Sequence, residues 1–164
     1  MTSERRDLQI ERDPEFQEKE WRAQRIGIRL LALLVAAAAA GLTGMGGPLN
    51  DAEAGRQGDP VFVEFERVVR QGATSTITVH LHHAPGVVKF WVSAPYLENV
   101  RIASINPEPE RVVVEQSRQV YEVQAGSADV EITFVIEHVT VGRLDAEIGL
   151  VDGPSVRLGQ WALF

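Results

Sequence analysis

The chain of 164 residues contains no cysteine. Disulfides, zinc–thiolate sites and thiol nucleophiles are therefore excluded. It also lacks a Gly-X-Ser-X-Gly elbow, a phosphate-binding loop and a dinucleotide fingerprint. The glycine-rich "GLTGMGG" closes an apolar run rather than following a strand. Ser93, Ser104, Ser117, Ser127 and Ser155 stand in ordinary turn or strand contexts, so nucleophilic catalysis has no visible candidate. Basic residues are scarce in the larger part of the chain. Residues 51–164 hold sixteen acidic and nine basic side chains and carry the whole net charge of −7. An acidic domain without a basic stripe argues against nucleic-acid binding and against docking on anionic headgroups. No cofactor is implied.

What is present begins with an apolar run. Leu30 to Gly47 is eighteen residues without a charge, and only Thr43 is polar. With Ile26, Gly27 and Ile28 the stretch is long enough, at about 1.5 Å per residue, for a hydrocarbon core of about 30 Å. Lys19, Arg22, Arg25 and Arg29 precede it, and no basic residue follows before Arg56. The positive-inside rule then puts the N-terminus in the cytoplasm and the remainder outside. Trp21, Arg22, Arg25 and Arg29 are expected to anchor at the interface, where an indole fits and arginine stems snorkel. Asp13 as N-cap and Pro14 at the first helical position start a helix expected to run to about Met45. Ala36/Ala40 and Ala37/Gly41, four residues apart, form a small-residue face suited to packing on a partner helix. The alternative is a cleaved signal peptide with Leu30–Ala40 as its apolar region and "AEA" at 52–54 as its cleavage site.

The expected organisation is a cytoplasmic tail over 1–13, a juxtamembrane and transmembrane helix over 14–47, a linker over 48–59 and a β-domain over 60–164. From Val61 the apolar period becomes two. Runs near 60–70, 75–82, 87–93, 99–105, 111–115, 119–125, 129–138, 145–151 and 155–163 alternate, separated by turn sequences such as "RQGAT", "NPEPE" and "DGPS". One-sided alternation needs a second sheet to cover it. The expected fold is therefore an immunoglobulin/fibronectin-like β-sandwich of seven to nine strands behind a single helix.

Within "TVHLHHAPG", His80 and His82 lie two apart and share one strand face, while His83 points elsewhere. Two imidazoles on one face can chelate a metal, but a catalytic zinc site needs a third protein ligand. The pair also simply continues the polar row Thr76, Thr78. Trp91, on the polar side of its run, and Trp161 and Phe164 in "GQWALF" are candidates for a partner-binding surface.

Three segments, "IERDPEFQEKEWRAQRIG", "GGPL" and "GRLDAEIGLVDGPSVRLGQWALF", together resemble an uncharacterised bacterial family of single-pass inner-membrane proteins with a small periplasmic β-domain. The resemblance implies genes often placed beside those of small multi-spanning membrane proteins, and it brings no activity with it. The layout also resembles copper-assembly proteins of cytochrome oxidase, whose Cys-X-Cys pair this chain lacks. The expected function is that of a non-enzymatic accessory subunit: anchored in the bilayer, partnered with an inner-membrane protein, and presenting an acidic sandwich in the periplasm. The alternative is a periplasmic metal-handling protein using His80 and His82.

Overall fold

A computed structural model describes residues 14–39, 50–82 and 86–164. The chain divides into two units, Met1–Ala36 and Ala37–Phe164. The helix α1, Pro14–Ala39, lies in the first unit except for its last three residues. Its apolar side chains are uncovered around the whole circumference: Ile26, Ile28, Leu30, Leu31, Leu33, Leu34 and Val35 are each between 57% and 70% exposed. Among the described residues, no helix is long and apolar enough to cross a membrane. Only the first ten residues of the apolar run Leu30–Gly47 fall within α1; residues 40–47 lie outside the described residues, as does the expected tail 1–13.

The second unit is an all-β sandwich. Its elements are β1 (Asp51–Ala54), β2 (Val61–Glu66), β3 (Val68–Arg70), β4 (Thr74–His82), β5 (Gly86–Ser93), a one-turn helix α2 (Ala94–Leu97), β6 (Val100–Asn106), β7 (Arg111–Val114), β8 (Arg118–Ala125), β9 (Asp129–His138), β10 (Gly142–Leu150) and β11 (Ser155–Leu163). Sheet I has the order β1-β2-β4-β9-β6 and sheet II the order β3-β11-β10-β5-β8-β7. All pairings are antiparallel except that of β3 with β11.

The alternating runs fold as their period dictates. Ile77, Val79 and Leu81 of β4 and Ile132, Phe134 and Ile136 of β9 turn inward from sheet I. Val88, Phe90 and Val92 of β5 and Tyr121 and Val123 of β8 face them from sheet II. Phe90 stacks on Tyr121 at 5.2 Å, and Phe134 meets both edge-on at 6.0 and 5.6 Å. This triad ties the two sheets, each aromatic pair adding roughly 0.5–1.5 kcal/mol beyond its buried area.

Two expectations need correction. The stretch 48–59 is not wholly a linker, because Asp51–Ala54 pairs with β2 and buries Ala52 and Ala54. Gly55 then turns the chain at φ +88, where a Cβ would lie 2.7 Å from the Val61 carbonyl oxygen. The run 60–70 is not one strand. Arg67 interrupts it, and the chain passes from sheet I to sheet II. These two changes bring the strand number to eleven. The outermost strands β1, β3 and β7 have only three or four residues, and β6 carries a register shift between Ile102 and Ser104. Short and bulged edges of this kind discourage sheet-to-sheet association.

Candidate functional site

His80 and His82 do share the outer face of sheet I. β4 is central there, and its inward residues Ile77, Val79 and Leu81 fix the opposite parity. His80 stands opposite Phe62 on one side and Glu131 on the other; His82 stands opposite Asp129. His80 Nε2 lies 3.7 Å from Glu64 Oε2, and the His80 ring rests 5.3 Å from that of Phe62. His82 Nδ1 pairs with Asp129 Oδ1. The two imidazoles thus lie nearest different carboxylates, and His80 Nε2 makes no hydrogen bond among the described residues. Among the described residues, no group of three or more His, Asp or Glu side chains is placed to hold a metal ion. His83 lies outside the described residues. Phe62, in the polar register of its strand, is only 2% exposed.

Next to this row, the same face carries an open hollow of about 610 Å³ lined by β1, β2 and β4. Four carboxylates surround it as two directly opposed cross-strand pairs, Asp51 with Glu66 and Glu53 with Glu64. Like charges in that position are destabilising. Burial, and then the Asp51 charge, raise the Glu66 carboxyl above its ordinary value. Arg67 also lines it, with Thr76 and Thr78.

The aromatic candidates separate. Trp91 is half-buried on the outer face of sheet II. It stands opposite Gly149 and Val120, its indole N–H donates to the Leu150 carbonyl at 3.2 Å, and the Arg118 guanidinium sits 5.7 Å from its ring. These contacts hold Trp91 against the sheet with part of its surface exposed. Trp161 and Phe164 are 55% and 94% exposed. They lie at the end of the sandwich where β3 and β11 run side by side.

The fold also brings together residues that the sequence does not connect. Ser75 Oγ and His138 Nε2 are 2.8 Å apart, although 63 positions separate them. Both are buried, His138 to 0% exposure, and His138 Nδ1 has no partner. Burial lowers the His138 imidazole below its ordinary value. A serine beside a neutral histidine suggests a nucleophile and base, but this pair is sealed within the core, out of a substrate's reach. Tyr96 donates to Gln160 Oε1 at 2.7 Å, and Gln160 Nε2 donates to the Glu66 carbonyl at 2.8 Å. These groups satisfy buried polarity. Their partners are distant strands, so no local motif announces them.

On α1, Trp21 is 55% exposed, with the Arg25 guanidinium 3.4 Å from its ring centroid. Arg22 and Arg29 are exposed on the same helix. Of the small-residue face, Ala36 is exposed and Ala37 half-buried, while Ala40 and Gly41 lie outside the described residues.

No protein-family model matches the chain, and no curated protein matches its sequence. Among solved structures it is similar to a non-cellulosomal cohesin from the hyperthermophilic archaeon Archaeoglobus fulgidus, at 14% identity over 60% of this chain and 86% of that one, with a TM-score of 0.39. The sandwich itself is established by the strand pairings.

Proposed function

We propose that the protein is a membrane-anchored, non-enzymatic accessory subunit whose immunoglobulin/fibronectin-like sandwich acts on the far side of the bacterial inner membrane. The observation that carries this reading is the uncovered apolar circumference of α1 from Ile26 to Val35. An amphipathic helix of a water-exposed domain would bury one stripe and wet the other. Seven large side chains, uncovered all around, are stable in hydrocarbon and costly in water. The apolar run continues in sequence to Gly47, and basic residues flank only its N-terminal side. Both support a helix crossing the membrane with its N-terminus in the cytoplasm.

The partner is proposed to be a multi-spanning membrane protein. Ala36, Ala37, Ala40 and Gly41 give a close-packing face, and the family that the sequence resembles is associated with such proteins. The test is purification of the full chain from detergent-solubilised membranes. An integral membrane protein is expected to co-purify, and leucine at Ala36, Ala37, Ala40 and Gly41 is expected to release it. Association unchanged by all four substitutions contradicts docking through this face.

A further inference from the structure

The end of the sandwich that receives the chain differs from the rest of its surface. Asn50 is buried there and fastens the start of β1 to β3: its Nδ2 donates to the Val68 carbonyl at 2.9 Å, and the Val68 N–H donates to its Oδ1 at 2.7 Å. On the outer face of sheet II at this end, Val68, Trp161 and Arg143 form one cross-strand row, and Arg70 and Leu163 lie in the next. Trp161, Val141 and Phe164 are 55%, 52% and 94% exposed. No acidic side chain stands in these rows. Arg143 shares its guanidinium with Asp145 at 2.9 Å, one row farther away. Arg67 and Arg70 make no ion pair among the described residues. Asp51 and Glu66 are at the same end but on sheet I. A domain with excess negative charge thus places Arg70 and Arg143 beside an exposed tryptophan at one corner, with Arg67 at the crossing between the sheets, where it also lines the acidic hollow.

The domain's net charge argues against docking on anionic headgroups through its surface at large, but we propose that this one corner rests on the bilayer surface, at the level of the phospholipid headgroups. The inference builds on the membrane-anchored reading above. Only Pro48 and Leu49 stand between the end of the apolar run at Gly47 and Asn50, so a bilayer holding that run lies next to this end. The chemistry matches the interface. An indole sits at headgroup depth, valines and a phenylalanine enter the acyl boundary, and arginines reach phosphates. The acidic hollow of sheet I belongs to a different face and turns toward water. The unequal charge distribution orients the domain on a negative surface.

The absence of cysteine permits a direct test on the full chain. Single cysteines replace Val141 at this end and Asp152 in the β10–β11 turn at the opposite end, each carrying a polarity-sensitive fluorophore. The protein is reconstituted in phosphatidylcholine vesicles, with and without about 30% phosphatidylglycerol, in which the acyl chains are brominated. The Val141→Cys label is expected to be quenched several-fold more than the Asp152→Cys label. Arg67→Gln with Arg70→Gln is expected to reduce that quenching in the phosphatidylglycerol vesicles, and Trp161→Ser in both. Equal, weak quenching at the two positions overturns the proposal; if the chain then still resists carbonate extraction, the anchoring reading survives alone. A chain released by carbonate but still quenched at Val141→Cys loses the anchor and keeps the surface contact. Protection of Val141→Cys in native membranes but not in vesicles means that a protein covers this end, and it overturns the bilayer assignment.

Discussion

Tyr121 and Tyr96 bury their hydroxyls in the same core, yet the Tyr121 hydroxyl has no partner while that of Tyr96 donates to Gln160. Burial pushes the Tyr121 phenol up to about 12. An unpaired buried hydroxyl contributes nothing to offset its lost hydration. Tyr121→Phe is therefore expected to leave stability within about 1 kcal/mol of the parent or to raise it, whereas Tyr96→Phe strands a buried amide oxygen and costs about 1–3 kcal/mol. Equilibrium unfolding of the two variants checks the contrast. His138 gives a pH dependence. Its imidazole is held neutral by burial, while in the unfolded chain it takes a proton near the ordinary value of 6.5. Its contribution is fully present above that pH and is lost as the pH falls toward the folded-state value. The melting temperature is expected to fall between pH 7 and pH 5, roughly the window below an ordinary histidine pKa, and more shallowly in His138→Gln. Identical slopes in the two proteins would remove His138 as the cause. Neither effect is legible in the sequence. Tyr96 precedes Gln160 by 64 positions, and only the packed sandwich decides which hydroxyl finds a partner.

The strands were far more legible, because an inward-facing row must be apolar wherever two sheets cover it. The runs at 75–82, 129–138 and 155–163 match β4, β9 and β11 to within a residue. The failures share a cause. β1 is specified by the edge of β2 rather than by any propensity of "DAEA", and the crossing at Arg67 leaves the alternation on either side intact. The acidic hollow was hidden for the same reason. Nothing local to Glu64 and Glu66 marks them as half of a carboxylate cluster; β1 alone places Glu53 and Asp51 opposite them. Glu66 carries a carboxyl raised in the folded state, so its charged form weakens the fold at neutral pH. Glu66→Gln is expected to add a few tenths to about 1 kcal/mol at pH 7. The gain should shrink as the pH falls through the folded-state value of Glu66 and vanish below the ordinary 4.5. A gain that persists at pH 3.5, about a unit below that value, would mean that relief of charge is not its origin. His80 and His82 share one face, as their spacing dictates, and the carboxylates nearest them, Glu64 and Asp129, come from the neighbouring strands β2 and β9.

At the scale of the molecule, α1 and the sandwich embody opposite solutions to burial. The sandwich encloses its apolar rows between two sheets; α1 leaves its own uncovered. The protein is proposed to complete that second surface with lipid and with a partner helix, leaving the acidic hollow free in the periplasm and the Trp161 corner against the membrane. Everything in that arrangement depends on the helix being embedded with the sandwich outside. Single cysteines at Ser3 and Asp152 in the full chain, probed with an impermeant maleimide on intact spheroplasts and followed by carbonate extraction, test it most directly. The predicted result is a chain that stays with the membrane pellet, labelled at Asp152→Cys in intact cells and at Ser3→Cys only after lysis. Release into the carbonate supernatant, or equal labelling of both positions before lysis, would contradict it.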